Sequence, residues 1–410
     1  MIGLYKQSGS VRMLAVQVLM RVLEKKHKAD AALEKLGTDI DSRDRGLLYE
    51  LVLGVLRRFY SLEADFSRFL KQKPDIEARM TLLIGTYQLR HMRVPSHAAV
   101  SECVDVMKIL QPKASGMVNA VLRKVADSEP PKKLKPNQRA ELPNWLYRTW
   151  RDAFGQDEVQ AFTQALQAPA SLCVAVFSDR DEWLESVRNM GIEAEKGEFS
   201  VYAVLLPAGT AVALLPGFDA GAFTVMDQAA QMAVLALDAP ENGIILDVCA
   251  APGGKTALLA HRFPKARIIA VELSAKRIPR LLENITRLQC QNVHVMQANA
   301  LHMPYLANSV DAIFLDAPCS ASGILRRHPD AKFLHQELDV DGLAVVQKDI
   351  LQSCLQVLKE DALMVYAVCS INPQENEQVL VGIEVQKSER IFPQHEYDGF
   401  FWASLKKQSV

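Results

Sequence analysis

The 410-residue sequence contains no uninterrupted apolar run long enough to span a membrane. Its first residues, Met1 to Lys6, lack the apolar core of a secretory signal. It has no Cys-x-x-Cys pair, so its seven cysteines form no zinc-type motif. Odd in number and scattered (103, 173, 249, 290, 319, 354, 369), they make no disulfide framework either. They read as reduced thiols in a cytoplasmic protein, with no metal and no membrane partner expected. The Gly-x-Gly-x-x-Gly spacing of nicotinamide-binding folds is also absent, which argues against NAD.

What is present is the composition of an ordinary globular chain, 49% hydrophobic and 23% charged, long enough for two to three domains. The near-neutral total, −1, hides a division. Residues 1–140 carry 25 Lys and Arg against 15 Asp and Glu, a net of +10; residues 141–410 carry 22 against 33, a net of −11. A positive front attached to an acidic back suggests a polyanion held by the N-terminal part, with a chance bias of solvated helix faces as the equal alternative.

Residues 11–126 read as helix throughout: apolar spacing in Val11–Leu19, an acceptor-rich start at Asp41–Arg45, then helices near 60–71, 77–90, 97–110 and 113–126. The stretch Asp127–Pro136 is a linker by composition. Between Pro143 and about 235, helices at 145–154, 157–166 and 181–190 and strands at 172–177 and 200–206 suggest a small α+β unit. From about 236 strands (244–248, 267–272, 292–297, 311–315, 362–368) alternate with helices (254–262, 275–289, 341–358). That alternation predicts an α/β, doubly wound, Rossmann-like parallel sheet. The expected domains are 1–128, all-helical; 129–235, linker and α+β; and 236–410, α/β.

Ligands of such sheets sit at the carboxyl ends of the strands, beside the switch point. Asp247 to Lys255, Glu272, Asn299, Asp316, Cys319 and Cys369 all fall there. Gly253 and Gly254 form a tight turn before a helix start, whose free amides favour anions. Glu272 can accept from ribose hydroxyls and Asn299 can pair with an adenine edge. Together these outweigh the reading of a plain loop and predict a nucleoside site, without fixing which nucleoside. Two thiols flank it in similar settings, Asp316-Ala317-Pro318-Cys319-Ser320 and Tyr366-Ala367-Val368-Cys369-Ser370.

At these residues the chain resembles the family of RNA cytosine-5 methyltransferases of the NOL1/NOP2/Sun type, and within it the bacterial 16S ribosomal RNA group (RsmB/Fmu). The motifs are Cys249-Ala250-Ala251-Pro252-Gly253-Gly254-Lys255, Asp316 to Ser320, Gly323 to Asp330, Cys369-Ser370 with Glu375-Asn376-Glu377, and Asp398-Gly399-Phe400-Phe401. The N-terminal helices resemble a NusB-type RNA-binding domain. The resemblance implies S-adenosyl-L-methionine as cofactor, lined by Cys249, Ala250, Ala251, Pro252, Gly253, Gly254, Lys255, Glu272, Asn299 and Asp316. It implies Cys369 as nucleophile, Cys319 as the second, releasing cysteine, and ribosomal RNA as partner; no oligomer is required.

Residue chemistry supports the same assignment. C5 of cytosine is a poor nucleophile until a thiolate adds at C6, and a thiol near neutral pH needs local activation to do so. Asp316 is suited to bond the base near N3 as charge develops. The base must leave its stack, so single-stranded or flipped RNA is expected. Cys103, Cys173, Cys290 and Cys354 read as small buried hydrophobes, and Cys249 as part of the cofactor turn. Arg326-Arg327-His328 reads as an RNA-phosphate or pocket contact rather than an exposed loop, and His328 as a structural hydrogen-bonding residue rather than a general base.

Some positions depart from the family pattern. Val368 stands where Thr is usual, and Glu272 and Asn299 where Asp is usual. Leu172–Val176 lacks the usual Arg and Asn. A weaker cofactor affinity is expected from these changes. An amino-nitrogen methyltransferase, which needs no thiol pair, and a non-catalytic RNA-binding assembly factor are the competing readings.

Overall fold

A computed structural model describes residues 10–37 and 40–407; Met1 to Lys6 lie outside them. The chain divides into two compact units. One holds residues up to Gln167 together with Leu325–Gln336. The other holds Ala168–Ile324 and the chain from Glu337 onward.

The first unit is helical: α1 (Val11–Leu23), α2 (Ala29–Gly37), α3 (Ser42–Arg57), α4 (Phe59–Ser67), α5 (Ile76–His91), α6 (Ser96–Leu110), α7 (Ser115–Ala126), α8 (Asn144–Phe154) and α9 (Gln156–Leu166). α1 is apolar on nearly every side and is buried accordingly, from Val11 to Val22. α3 begins where its sequence indicates, the Asp41 carboxylate accepting from the Asp44 amide at 2.9 Å.

The strap Leu325–Gln336 is anchored in this unit. Lys332, 5% exposed, donates to the backbone oxygens of Glu141 at 2.7 Å and Arg57 at 3.2 Å. The buried Glu141 carboxylate in turn accepts from the Tyr60 and Ser61 amides at the start of α4, at 2.8 and 3.3 Å. Arg326 is buried, its carbonyl accepting from Arg57 Nε at 3.0 Å, and His328 Nδ1 lies 3.4 Å from Asp30 Oδ2. The basic cluster read as an RNA contact is therefore, at Arg326, part of a helical packing interface.

The second unit opens with an antiparallel sheet of β1 (Leu172–Val176), β2 (Glu195–Lys196), β3 (Ala203–Leu206) and β4 (Phe223–Val225), ordered β2-β3-β1-β4. α10 (Arg180–Asn189) packs on it through Trp183, Leu184 and Val187. Leu172–Val176, lacking the Arg and Asn noted above, is one of the two inner, buried strands of this sheet.

α11 (Gln228–Leu235) leads into a seven-stranded sheet: β5 (Ile244–Val248), β6 (Arg267–Glu272), β7 (Val293–Gln297), β8 (Val310–Asp316), β9 (Leu358–Val368), β10 (Val385–Ile391) and β11 (Phe400–Lys406). Its helices are α12 (Gly254–Arg262), α13 (Ile278–Arg287) and α14 (Glu337–Val357). The order is β10-β11-β9-β8-β5-β6-β7. β7, β6, β5, β8 and β9 are parallel, while β11 runs antiparallel to β9, and β10 to β11. The five strands expected from the sequence are the parallel ones, and β10 and β11, which were not expected, extend one edge antiparallel. The chain moves outward from β5 through β6 to β7, then returns to β8 on the other side of β5. The switch point lies between β5 and β8.

Candidate active site

The strand ends at this switch point carry the predicted residues. β5 ends at Val248, and Cys249 follows at φ 65°, reversing the chain into Ala250-Ala251-Pro252. Gly253, at φ 103°, caps the start of α12; the left-handed backbone calls for glycine, and a Cβ there would also press on Leu281 Cδ1 at 2.8 Å. Gly254 differs: a Cβ there would meet only ordinary contacts with Met226 and Thr224. Asn284 Nδ2 holds the turn through Pro252 O at 2.8 Å, and Arg277 through Ala251 O.

Glu272, at the end of β6, is 3% exposed. It accepts from the Ser274 amide at 2.9 Å, the Ala251 amide at 3.3 Å and Arg277 at 3.1 Å. Asn299 follows β7, its side-chain oxygen accepting from the Leu301 amide at 3.0 Å. Asp247 is completely buried, and its Oδ2 accepts from Thr256 Oγ. Its other oxygen has no hydrogen-bond partner within the protein. Burial first, and then the nearby Asp316 and Glu272, push its pKa up to about 7 against the opposing Thr256 bond and Lys255. Burial likewise pushes the Cys249 thiol up to about 12, with Asp316, Glu272 and Asp247 adding to it; this suits a structural thiol in the turn.

β8 and β9 are adjacent and parallel, Asp316 standing beside Ala367. Three residues after Asp316 and two after Ala367 come the two cysteines, with Sγ atoms 3.3 Å apart and both side chains partly exposed. Lys255 Nζ donates to Asp316 Oδ2 at 2.7 Å and lies 5.8 Å from the Phe400 ring centre. Burial tends to lower the Lys255 pKa, but Asp316 and then Cys369 outweigh it and raise the value. The Cys319 thiol is held well above the usual range, first by its hydrogen bond to Cys369, then by burial and the charges of Cys369 and Glu375. The two sulfurs are within hydrogen-bond distance, and either thiol can donate to the other.

Two more motifs close the site. Gly323 donates to Cys369 O at 3.0 Å and Gly399 donates to Gly323 O at 2.9 Å. A Cβ on Gly323 would overlap Gly399 O at 2.2 Å, so the backbones meet where side chains are absent. Val368 packs into the sheet core with Leu246, Leu315 and Phe401, a place that suits an apolar residue and gives a hydroxyl no evident use.

Against this geometry, comparison with known proteins is decisive. A relative in Vibrio vulnificus (strain YJ016), named Ribosomal RNA small subunit methyltransferase B, is 35% identical over 98% of this chain and 100% of its own length. The chain belongs to this family. The model of the 16S rRNA methyltransferase RsmB/F matches residues 234–384, that of the NusB family 10–127, and that of the RsmF/B-like ferredoxin-like domain 142–213. Solved structures share the fold of this methyltransferase: PH0851 with a TM-score of 0.80 at 20% identity, covering 97% of this chain and 99% of that one. NSun6 from Pyrococcus horikoshii, solved with SFG, follows at 0.59 and 19%, covering 65% and 99%.

Sequence reading singled out both thiols but assigned no role to Glu375, Gln347, Arg277 or Thr256, which brace the site. A signal for Glu375 was available. Each cysteine is followed directly by a serine, Ser320 and Ser370, and both serines bond Glu375 at 2.5 Å.

Proposed function

We propose that this rRNA methyltransferase transfers a methyl group from S-adenosylmethionine to C5 of a cytosine in small-subunit ribosomal RNA, through a covalent bond between Cys369 and C6. The observation that carries this reading is the 3.3 Å separation of the Cys319 and Cys369 sulfurs at the ends of adjacent strands, beside the Lys255–Asp316 pair.

S-adenosylmethionine is the cofactor, and the donor set of the β5–β8 edge fits it. The first amides of α12 suit its carboxylate. Glu272 suits ribose hydroxyls, Asn299 the adenine edge, and the acids Asp247 and Asp316 its cationic groups. Cys249, Ala250, Ala251, Pro252, Gly253, Gly254 and Lys255 would line the turn. When bound, the cofactor supplies an electrophilic methyl on a sulfonium.

The remaining chemistry falls to the chain. Cys369, as thiolate, adds to C6 and makes C5 nucleophilic. Asp316, held by Lys255, accepts a hydrogen bond from the exocyclic amino group beside N3 and orients the base, while the Lys255 cation offsets the negative charge that develops on the ring. Bonding of Cys369 to C6 removes both the acceptor and the negative charge that keep Cys319 protonated. Cys319 then loses its proton to solvent, takes the C5 proton after methylation, and the C6–S bond breaks to free Cys369. The net positive charge of residues 1–140 supports a role for the helical unit in holding RNA. The need for two reduced thiols supports a cytoplasmic location.

The test is a Cys369→Ala variant assayed by methyl incorporation into small-subunit rRNA and by bisulfite sequencing. The proposed role requires loss of C5 methylation; unchanged incorporation would remove Cys369 as nucleophile.

A further inference from the structure

Glu375 lies outside the thiol chemistry just described, yet it is fully buried on the turn Pro373–Glu375. An ionised carboxylate in such a place is costly unless hydrogen bonds surround it. Here donors from three elements converge on it. From the loop after β8, the Ser320 amide reaches Oε1 at 2.7 Å and the Ser320 hydroxyl reaches Oε2. From the loop after β9, the Ser370 hydroxyl and Asn372 Nδ2 reach Oε2, the latter at 3.1 Å. From α14, Gln347 Nε2 reaches Oε1 at 3.1 Å while also donating to Pro318 O at 2.9 Å.

The surrounding groups tie the same two loops again. Ser322 and Ser370 hydroxyls are 2.9 Å apart, and the Ile371 amide donates to Ser322 Oγ at 3.1 Å. The Tyr366 hydroxyl lies 2.7 Å from Glu375 O. Ser320 and Ser370 each stand one residue after a reacting cysteine. Any shift of these serines is therefore passed to the Sγ atoms, whose separation decides whether one thiol can serve the other. Reaction rates fall steeply with displacements of about 1 Å, even from distant causes.

We infer that Glu375 is a positioning residue: by binding Ser320 and Ser370 together it fixes the spacing of Cys319 and Cys369 and keeps their roles distinct. This rests on the two-thiol reading above. The negative charge of Glu375 also adds to the forces that keep Cys319 protonated. Replacing the carboxylate by an amide of equal size turns one acceptor oxygen into a donor, so either the Ser320 amide and Gln347 Nε2 or Asn372 Nδ2 lose their acceptor and the serine hydroxyls must reorient.

The test compares Glu375→Gln with the unaltered protein in two ways. Steady-state kinetics should show kcat down by about a hundredfold, with KM for RNA and for S-adenosylmethionine within about twofold. Iodoacetamide labelling, followed by peptide mass spectrometry across pH, should show the preference for Cys369 over Cys319 falling from about tenfold or more to near parity. An unchanged kcat with unchanged labelling preference would overturn the role. If Glu375→Gln does not fold, the Ser320→Ala/Ser370→Ala double variant is judged by the same two results. Activity retained in Cys369→Ala would remove the two-thiol reading instead, so the two failures are distinguishable.

Discussion

Lys255 Nζ sits 2.7 Å from Asp316 Oδ2, joining the first residues of α12 to the end of β8 across the switch point of the sheet. One cation thereby steadies the carboxylate proposed to meet the base. Lys255→Met keeps the length of the side chain and removes the charge. It should lower kcat/KM by about tenfold or more. Methyl incorporation under single-turnover conditions measures this, and a rate within twofold of the original would separate Lys255 from the chemistry.

Asp247 gives a pH signature in stability. Its folded-state pKa is raised from 3.8 to about 7, mainly by burial. The native state therefore binds a proton that the unfolded state has released between those values. The stabilising contribution is complete below about pH 4 and is lost as pH rises through about 7. Asp247→Asn should flatten this slope. Thermal melts of the cofactor-free protein from pH 4.5 to 8 check it. Parallel curves for the two proteins would contradict the buried-acid account.

Lys332 is a buried contact between the strap and the helices. Lys332→Met removes the cation that faces the Glu141 and Arg57 carbonyls and leaves the Glu141 carboxylate buried without it. A loss of about 3–5 kcal/mol from the helical unit is expected. Denaturant unfolding followed by circular dichroism measures it, and a midpoint unchanged by the substitution would show the strap to be loosely held.

Much of this was legible in the residues. The helices of 11–126, the strand and helix alternation after 236, and the clustering of motif residues at strand ends follow from apolar periodicity and turn chemistry. β10 and β11 did not. Val385–Ile391 is a largely exposed edge strand rich in charge, so it shows no apolar face. Phe400–Lys406 is buried along almost its whole length, and a short apolar run without alternation does not announce a strand direction. α11 was hidden similarly, its small apolar residues being packed on several sides. Arg326 misled because a charged cluster suggests solvent and phosphate, whereas its backbone is captured by Arg57. Glu375 could be quoted within a motif, but its role depends on two serines, 55 and 5 residues away, meeting on one carboxylate.

The division of labour between the thiols is tested most directly by trapping. Cys319→Ala leaves Cys369 free to add to the base but removes the group proposed to take the C5 proton. Incubated with small-subunit rRNA and S-adenosylmethionine, it should give a slow-migrating protein–RNA species on denaturing gels. Digestion should locate the nucleotide on Cys369. Absence of any such species, or attachment at another residue, would contradict the account.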